Sequence, residues 1–131
     1  MDNGTQAHAA SRILVVDDDA DFFALLYDAL THTMPNRAIV GVRSAEAALA
    51  ELEQGPFDLI LIDYRLEGRD GLALLHDLRT LAPALPVIMI TGYPTQALRQ
   101  QAEALGVSGF LIKPVFVPDL RRAVQAALAG R

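Results

Sequence analysis

Ile13-Leu14-Val15-Val16-Asp17-Asp18-Asp19 runs without a break from four apolar, mostly β-branched residues into three carboxylates. A strand with one wet face alternates apolar and polar residues, whereas a strand covered on both faces does not. The unbroken run therefore predicts a buried parallel strand with the charge at its carboxyl end. Leu59-Ile60-Leu61-Ile62 leads into Asp63 in the same way, Val87-Ile88-Met89-Ile90 into Thr91, and Phe110-Leu111-Ile112 into Lys113-Pro114. Ala38-Ile39-Val40 is a shorter run, and the Gly41-Val42-Arg43-Ser44 after it offers nothing distinctive.

Longer amphipathic segments lie between these runs. Phe22 to Leu30 places Phe22, Leu25, Leu26 and Ala29 on one stripe at helical spacing. Ser44 can cap a second helix, with Glu46 in its first turn and Gly55-Pro56 as its stop. Leu72, Leu75 and Leu78 mark a third, ended by Pro83. Thr95 can cap a fourth, apolar at Ala97, Leu98, Ala102 and Leu105, with Gly106 just beyond. Pro118-Asp119 suits the first turn of a fifth, which continues through Leu120, Val124, Ala127 and Leu128.

Five strand-then-helix units, (βα)5, predict an α/β fold: a doubly wound parallel five-stranded sheet with helices on both faces. Right-handed crossovers leave few arrangements, and strand order 2-1-3-4-5 is a common one. In that order the first and third strands meet where the winding reverses, and ligands bind outside the carboxyl ends of the strands there.

Composition narrows the function. Of 131 residues, 52% are hydrophobic and 21% charged, which excludes a disordered chain. Residues 1–11 are small and polar and are expected to form a flexible tail, leaving 12–131 as one domain. A net charge of −5 argues against direct nucleic-acid binding, which depends on Lys and Arg neutralising phosphates. The absence of cysteine excludes a disulfide scaffold and Cys-ligated zinc. No apolar run is long enough for a membrane span, and Met1 to Ser11 lacks the apolar core of a signal peptide. A cytoplasmic protein is expected.

If the topology holds, Asp17, Asp18, Asp63, Thr91 and Lys113 converge on one shallow pocket. Two carboxylates about 4 Å apart repel by roughly 1 kcal/mol in water and by about 4 kcal/mol at an effective dielectric of 20. Three together must hold a proton or a cation. All-oxygen ligands with room for water favour Mg2+ or Mn2+ over zinc. With Lys113 as a second positive charge and Thr91 as a donor, such a pocket suits a phosphoryl group, with the Asp63 carboxylate as the natural nucleophile. Asp19 and Asp21 have a plainer explanation as turn formers or helix caps.

Leu14-Val15-Val16-Asp17-Asp18-Asp19, Asp63 with Gly71 downstream, Thr91-Gly92 and Lys113-Pro114 together resemble the flavodoxin-like receiver domain of two-component response regulators, from Arg12 to about Leu128. The resemblance implies that Asp63 accepts a phosphoryl group from a histidine kinase or histidine phosphotransfer protein. It implies that Asp18 and Asp63 bind Mg2+ directly with the backbone carbonyl of Arg65, while Asp17 acts largely through a bound water. Thr91 and Lys113 would hold phosphoryl oxygens, the Lys113–Pro114 peptide would be cis, and Phe110 would be the aromatic switch, moving inward with Thr91. The domain would catalyse its own phosphorylation and dephosphorylation without being a turnover enzyme. The fourth and fifth helices with the fifth strand would form a homodimer or effector face, presenting Gln96, Arg99, Gln100, Arg121 and Arg122.

Four positions depart from the family pattern. Phe110 stands where Tyr is commoner, so only burial of the ring can signal there. Leu66-Glu67 replaces Met-Pro. Arg65 and Tyr93 flank the path of an attacking water, and Tyr93 is followed by Pro94. Phe116 occupies a position where a small polar cap of the fifth helix is common.

Other functions fit less well. A haloacid-dehalogenase-type phosphatase would use Asp17 as nucleophile, but it needs a later acidic pair that is not evident. A flavin-nucleotide binder would not place three aspartates where phosphate must sit. A calcium loop across Asp17, Asp19 and Asp21 fails because Phe22 occupies the glycine position. His8, His32 and His76 read as surface histidines. A degenerate receiver serving only as an interaction module is the remaining alternative.

Overall fold

In the computed structural model, which describes residues 12–130, every apolar run forms a parallel strand and every amphipathic segment a helix. The expected tail, residues 1–11, lies outside the described residues. Strands β1 (Arg12–Val16), β2 (Ala38–Val42), β3 (Leu59–Asp63), β4 (Val87–Thr91) and β5 (Gly109–Ile112) alternate with helices α1 (Ala20–Thr33), α2 (Ala45–Gln54), α3 (Gly71–Leu81), α4 (Gln96–Ala104) and α5 (Val117–Ala129). The sheet order is β2-β1-β3-β4-β5, the expected doubly wound arrangement.

Alternate residues of each strand enter opposite layers, so a continuous apolar run feeds two cores. Leu14, Val16, Ile60, Ile62 and Met89 pack with Leu74, Leu75 and Leu78 of α3 and Ala45 and Ala48 of α2. Ile13, Val15, Leu59, Leu61 and Ile88 pack on the other face with Leu26 and Leu30 of α1 and Leu120 and Val124 of α5. Burying each such side chain contributes roughly 1.5–3 kcal/mol. The two cores together hold the strand ends in a common frame.

Local chemistry sets the helix starts. Asp19 accepts from the backbone N–H of Asp21 and Phe22, Ser44 from Ala47, Asp70 from Ala73 and Thr95 from Leu98. Each satisfies a donor that the first helical turn leaves free. Phe116 offers no such bond, yet α5 begins directly after it at Val117, one residue before the expected Pro118. The fixed φ of proline in the first turn compensates for the missing cap.

One apolar position is corrected. Leu25 was expected on the buried stripe of α1, but it is 68% exposed, while Leu26 and Leu30 are buried. Phe23 and Leu30 pack inward as well, which rotates the buried arc toward them. Leu25 sits about 100° before Leu26 around the helix, on the solvent side. Among the described residues, no helix is long and apolar enough to cross a membrane.

Candidate functional site

The parallel register brings the chemical groups to one edge. Val16 pairs with both Val42 and Ile62, Asp63 with Ile90, and Thr91 with Ile112. The residues at or just past these positions therefore project from the same carboxyl edge of the sheet. The backbone continues the alignment: Asp17 N–H donates to Val42 O at 3.0 Å, and Lys113 N–H to Thr91 O at 2.8 Å.

Asp17 (3% exposed) and Asp63 (6%) are buried, and Asp18 is half-buried. One carboxylate oxygen from each lies within 4.8 Å of the others. Lys113 extends over the cluster, its Nζ 3.3 Å from Asp63 Oδ2 and 3.9 Å from Asp17 Oδ2. The ammonium also lies 4.2 Å from the centre of the Phe22 ring. The Lys113–Pro114 peptide is cis.

The two sides of the Asp17 carboxylate differ. Oδ1 accepts the Asp19 N–H at 2.8 Å, whereas Oδ2 is buried with no hydrogen-bond partner. Burial pushes the Asp17 carboxyl up from 3.8 to about 6; the Asp63 charge adds to this, and the Asp19 N–H and Lys113 oppose it. Asp63 is raised by burial as well, against the pull of Lys113 and the Arg65 backbone N–H. An orphaned oxygen beside two further carboxylates, all hard donors, fits a Mg2+ or Mn2+ ion, which would satisfy the oxygen and offset the repulsion.

Thr91, at the end of β4, is buried, and its hydroxyl accepts the Tyr93 N–H at 3.0 Å. Tyr93 is exposed and carries the Arg65 guanidinium 4.6 Å above its ring centre. The two bulky departures from the family pattern are thus in contact with each other. Phe110 is half-buried against the α2–α4 core, and the Arg99 guanidinium covers its ring at 4.5 Å. Gly71 N–H donates to Tyr64 O at 2.6 Å and closes the loop that leaves Asp63.

Two residues near the pocket were not anticipated. The end of the second strand, read as uninformative, carries Arg43, which donates to the Asp18 backbone carbonyl at 3.2 Å. Its position one residue past a strand end was the available signal. Phe22 was read only as a member of an apolar stripe, and nothing local to it announces Lys113, 91 positions further along the chain.

Residues 13–125 match the family described as the response regulator receiver domain. Transcriptional regulatory protein ZraR of Escherichia coli K12 is 35% identical over 117 residues, which are 89% of this chain and 26% of ZraR. Response regulator protein FleR of Pseudomonas aeruginosa is 36% identical over 105 residues, 80% of this chain and 22% of FleR. The chain therefore spans about a quarter of the length of the curated relatives it matches. Among solved structures, the receiver domain of NtrX from Brucella abortus superposes with a TM-score of 0.84 at 31% identity, covering 91% of this chain and 99% of that one. A CheY-like receiver domain protein from Methanospirillum hungatei JF-1 gives 0.85 at 28% identity, covering 92% and 94%.

Proposed function

This chain belongs to the response regulator receiver family, and on that premise we propose that Asp63 accepts a phosphoryl group from a histidine kinase or histidine phosphotransfer protein. The observation that carries the assignment is the Lys113 ammonium 3.3 Å from the buried Asp63, at the edge of the Asp17–Asp18–Asp63 carboxylate cluster. Asp63 ends the central strand beside the switch point, where an incoming donor can reach it.

Transfer forms a bond from an Asp63 carboxylate oxygen to phosphorus as the bond from phosphorus to the donor nitrogen breaks, the nitrogen keeping the electron pair. Lys113 is placed to hold one phosphoryl oxygen. The Thr91 hydroxyl, whose oxygen accepts the Tyr93 N–H, has its own proton to donate to another. Asp17, Asp18 and Asp63, with the Arg65 carbonyl, would hold a Mg2+ (or Mn2+) ion, whose contribution when bound is to neutralise charge on the phosphoryl oxygens. The domain thereby promotes its own phosphorylation and dephosphorylation, without turnover of a separate substrate.

The signal is a population shift driven by contacts that only the phosphorylated site makes. Phe110 has no hydroxyl, so its output is burial of the ring, and inward movement would free Arg99 from the ring face. The surface formed by α4, β5 and α5, with Gln96, Arg99, Gln100, Arg121 and Arg122, is the proposed face for a second copy or an effector. A cytoplasmic location, with neither nucleic acid nor membrane as a direct partner, completes the proposal.

Intact mass after incubation with acetyl phosphate and Mg2+ tests the assignment. One phosphoryl group should be added, and it should be absent from Asp63→Asn and from samples with the metal chelated. An adduct that persists in Asp63→Asn, or none under these conditions, would overturn it.

The Arg65–Tyr93 stack gives a second expectation. Stacked side chains beside the acyl phosphate would obstruct the attacking water. The Arg65→Ala, Tyr93→Ala double variant should shorten the phosphoryl lifetime roughly 3- to 10-fold, as loss of a contact worth about 1 kcal/mol implies. A lifetime unchanged in the decay of the adduct would remove that role.

A further inference from the structure

Phe22 and Phe23 follow the Asp19 cap in the first turn of α1, and their rings serve different contacts. The Phe23 ring lies against Gly41 of β2 so closely that a Cβ there would fall 2.2 Å from its Cε1. Only glycine leaves that notch, and the seated ring fixes the rotation of the first turn of α1. Phe22 is thereby directed toward Lys113, whose ammonium sits 4.2 Å from its ring centre.

The same ammonium faces Asp63 Oδ2 at 3.3 Å and Asp17 Oδ2 at 3.9 Å. Lysine is a flexible stem with a compact charge, and its ordering on one spot is opposed by considerable rotamer entropy. An aromatic face attracts a cation through its quadrupole, most strongly where water is partly excluded. The Lys113 side chain is only 25% exposed, so that condition is met. An aliphatic residue at position 22 would supply apolar contact without this attraction.

We propose that Phe22 is a positioning residue for phosphoryl transfer, its ring face holding the Lys113 ammonium against the Asp63 carboxylate. The proposal rests on Asp63 being the phosphoacceptor. Phe22 acts on the reacting groups through Lys113, whose ammonium it faces. It should therefore govern the transfer rate and leave Mg2+ affinity nearly unchanged.

The rate of adduct formation from acetyl phosphate at saturating Mg2+ tests this. Phe22→Leu should slow it roughly 5- to 10-fold, the factor expected for a partly desolvated cation–π contact. Phe22→Tyr, which keeps the ring, should stay within about 2-fold of the parent protein. In a Lys113→Ala background, Phe22→Leu should cause no further slowing, because the partner through which it acts is gone. Calorimetric Mg2+ affinity should change by less than about 3-fold in Phe22→Leu.

An unaltered rate in Phe22→Leu overturns the proposal. So does equal slowing in the Lys113→Ala background, which would make Phe22 a support of the fold alone. A phosphoryl adduct that survives Asp63→Asn overturns the underlying assignment instead, and is read from the same mass spectra.

Discussion

Asp17→Asn should raise the melting temperature of the metal-free protein by roughly 5–10 °C at pH 8, while removing Mg2+-dependent phosphorylation. The stability gain follows from the position of the carboxyl. Its ordinary value is 3.8, and burial lifts it to about 6 in the folded protein. Between those values the native state binds more protons than the unfolded chain. Stability therefore falls as pH rises through that window, and the whole cost stands above about pH 6. A shift of about two units corresponds to an order of 2–3 kcal/mol.

Asn is nearly isosteric and keeps an oxygen for the Asp19 N–H, but it carries no charge to desolvate. Scanning calorimetry with chelator should show the gain at pH 8 and show it shrinking toward pH 4. Adding Mg2+ should stabilise the parent protein and leave the variant almost unmoved, because ligand binding to the native state alone shifts the melting temperature. A variant less stable than the parent at pH 8, or a gain independent of pH, would contradict the electrostatic account.

Gly71→Ala should lose roughly 2–3 kcal/mol of stability and slow phosphorylation as well. A Cβ on residue 71 would fall 2.5 Å from the backbone oxygen of Asp63, 2.8 Å from Ile62 Cγ2 and 3.0 Å from Tyr64 Cα. The nearest obstacle is backbone of the very residue that carries the proposed phosphoacceptor, so it cannot rotate away as a side-chain tip can. Relief must come from shifting the end of β3 or the start of α3, and α3 is anchored by buried Leu74, Leu75 and Leu78. Chemical denaturation should give a lower midpoint with an unchanged slope. An unfolding free energy within about 0.5 kcal/mol of the parent would mean that the loop yields freely. Loss of stability with full phosphorylation would separate the packing of Gly71 from the placement of Asp63.

Much of the site was legible because strand ends are local signals. An unbroken apolar run followed by Asp63, Thr91 or Lys113 states where the strand stops and which group follows it. Helix starts were equally legible at Ser44 and Thr95, where a side-chain oxygen meets a backbone donor three residues away. Asp70 lies in the same kind of position, accepting from Ala73. Family motifs then joined those local signals into one pocket.

Where the information was spread around a helix or across the sheet, the sequence was ambiguous. Leu25 and Leu26 are identical in chemistry and adjacent in the chain, yet one is exposed and the other buried. The seating of Phe23 in the Gly41 notch helps to decide between them, and that contact joins α1 to a strand reached only after the helix ends.

By itself, then, the sequence determined the strand and helix order, the caps at Ser44 and Thr95, the stops at Gly55-Pro56, Pro83 and Gly106, and the identity of the groups at the carboxyl edge, because backbone geometry and short-range hydrogen bonds suffice for these. Only the tertiary structure decided that Arg43 would bind the Asp18 carbonyl, that Phe22 would face Lys113, and that Asp17 would hold a carboxyl raised to about 6. These depend on distance and dielectric between residues remote in the chain. Lys113 and Asp63 are separated by 50 positions and meet at 3.3 Å only after parallel strands have been aligned and water excluded from between them.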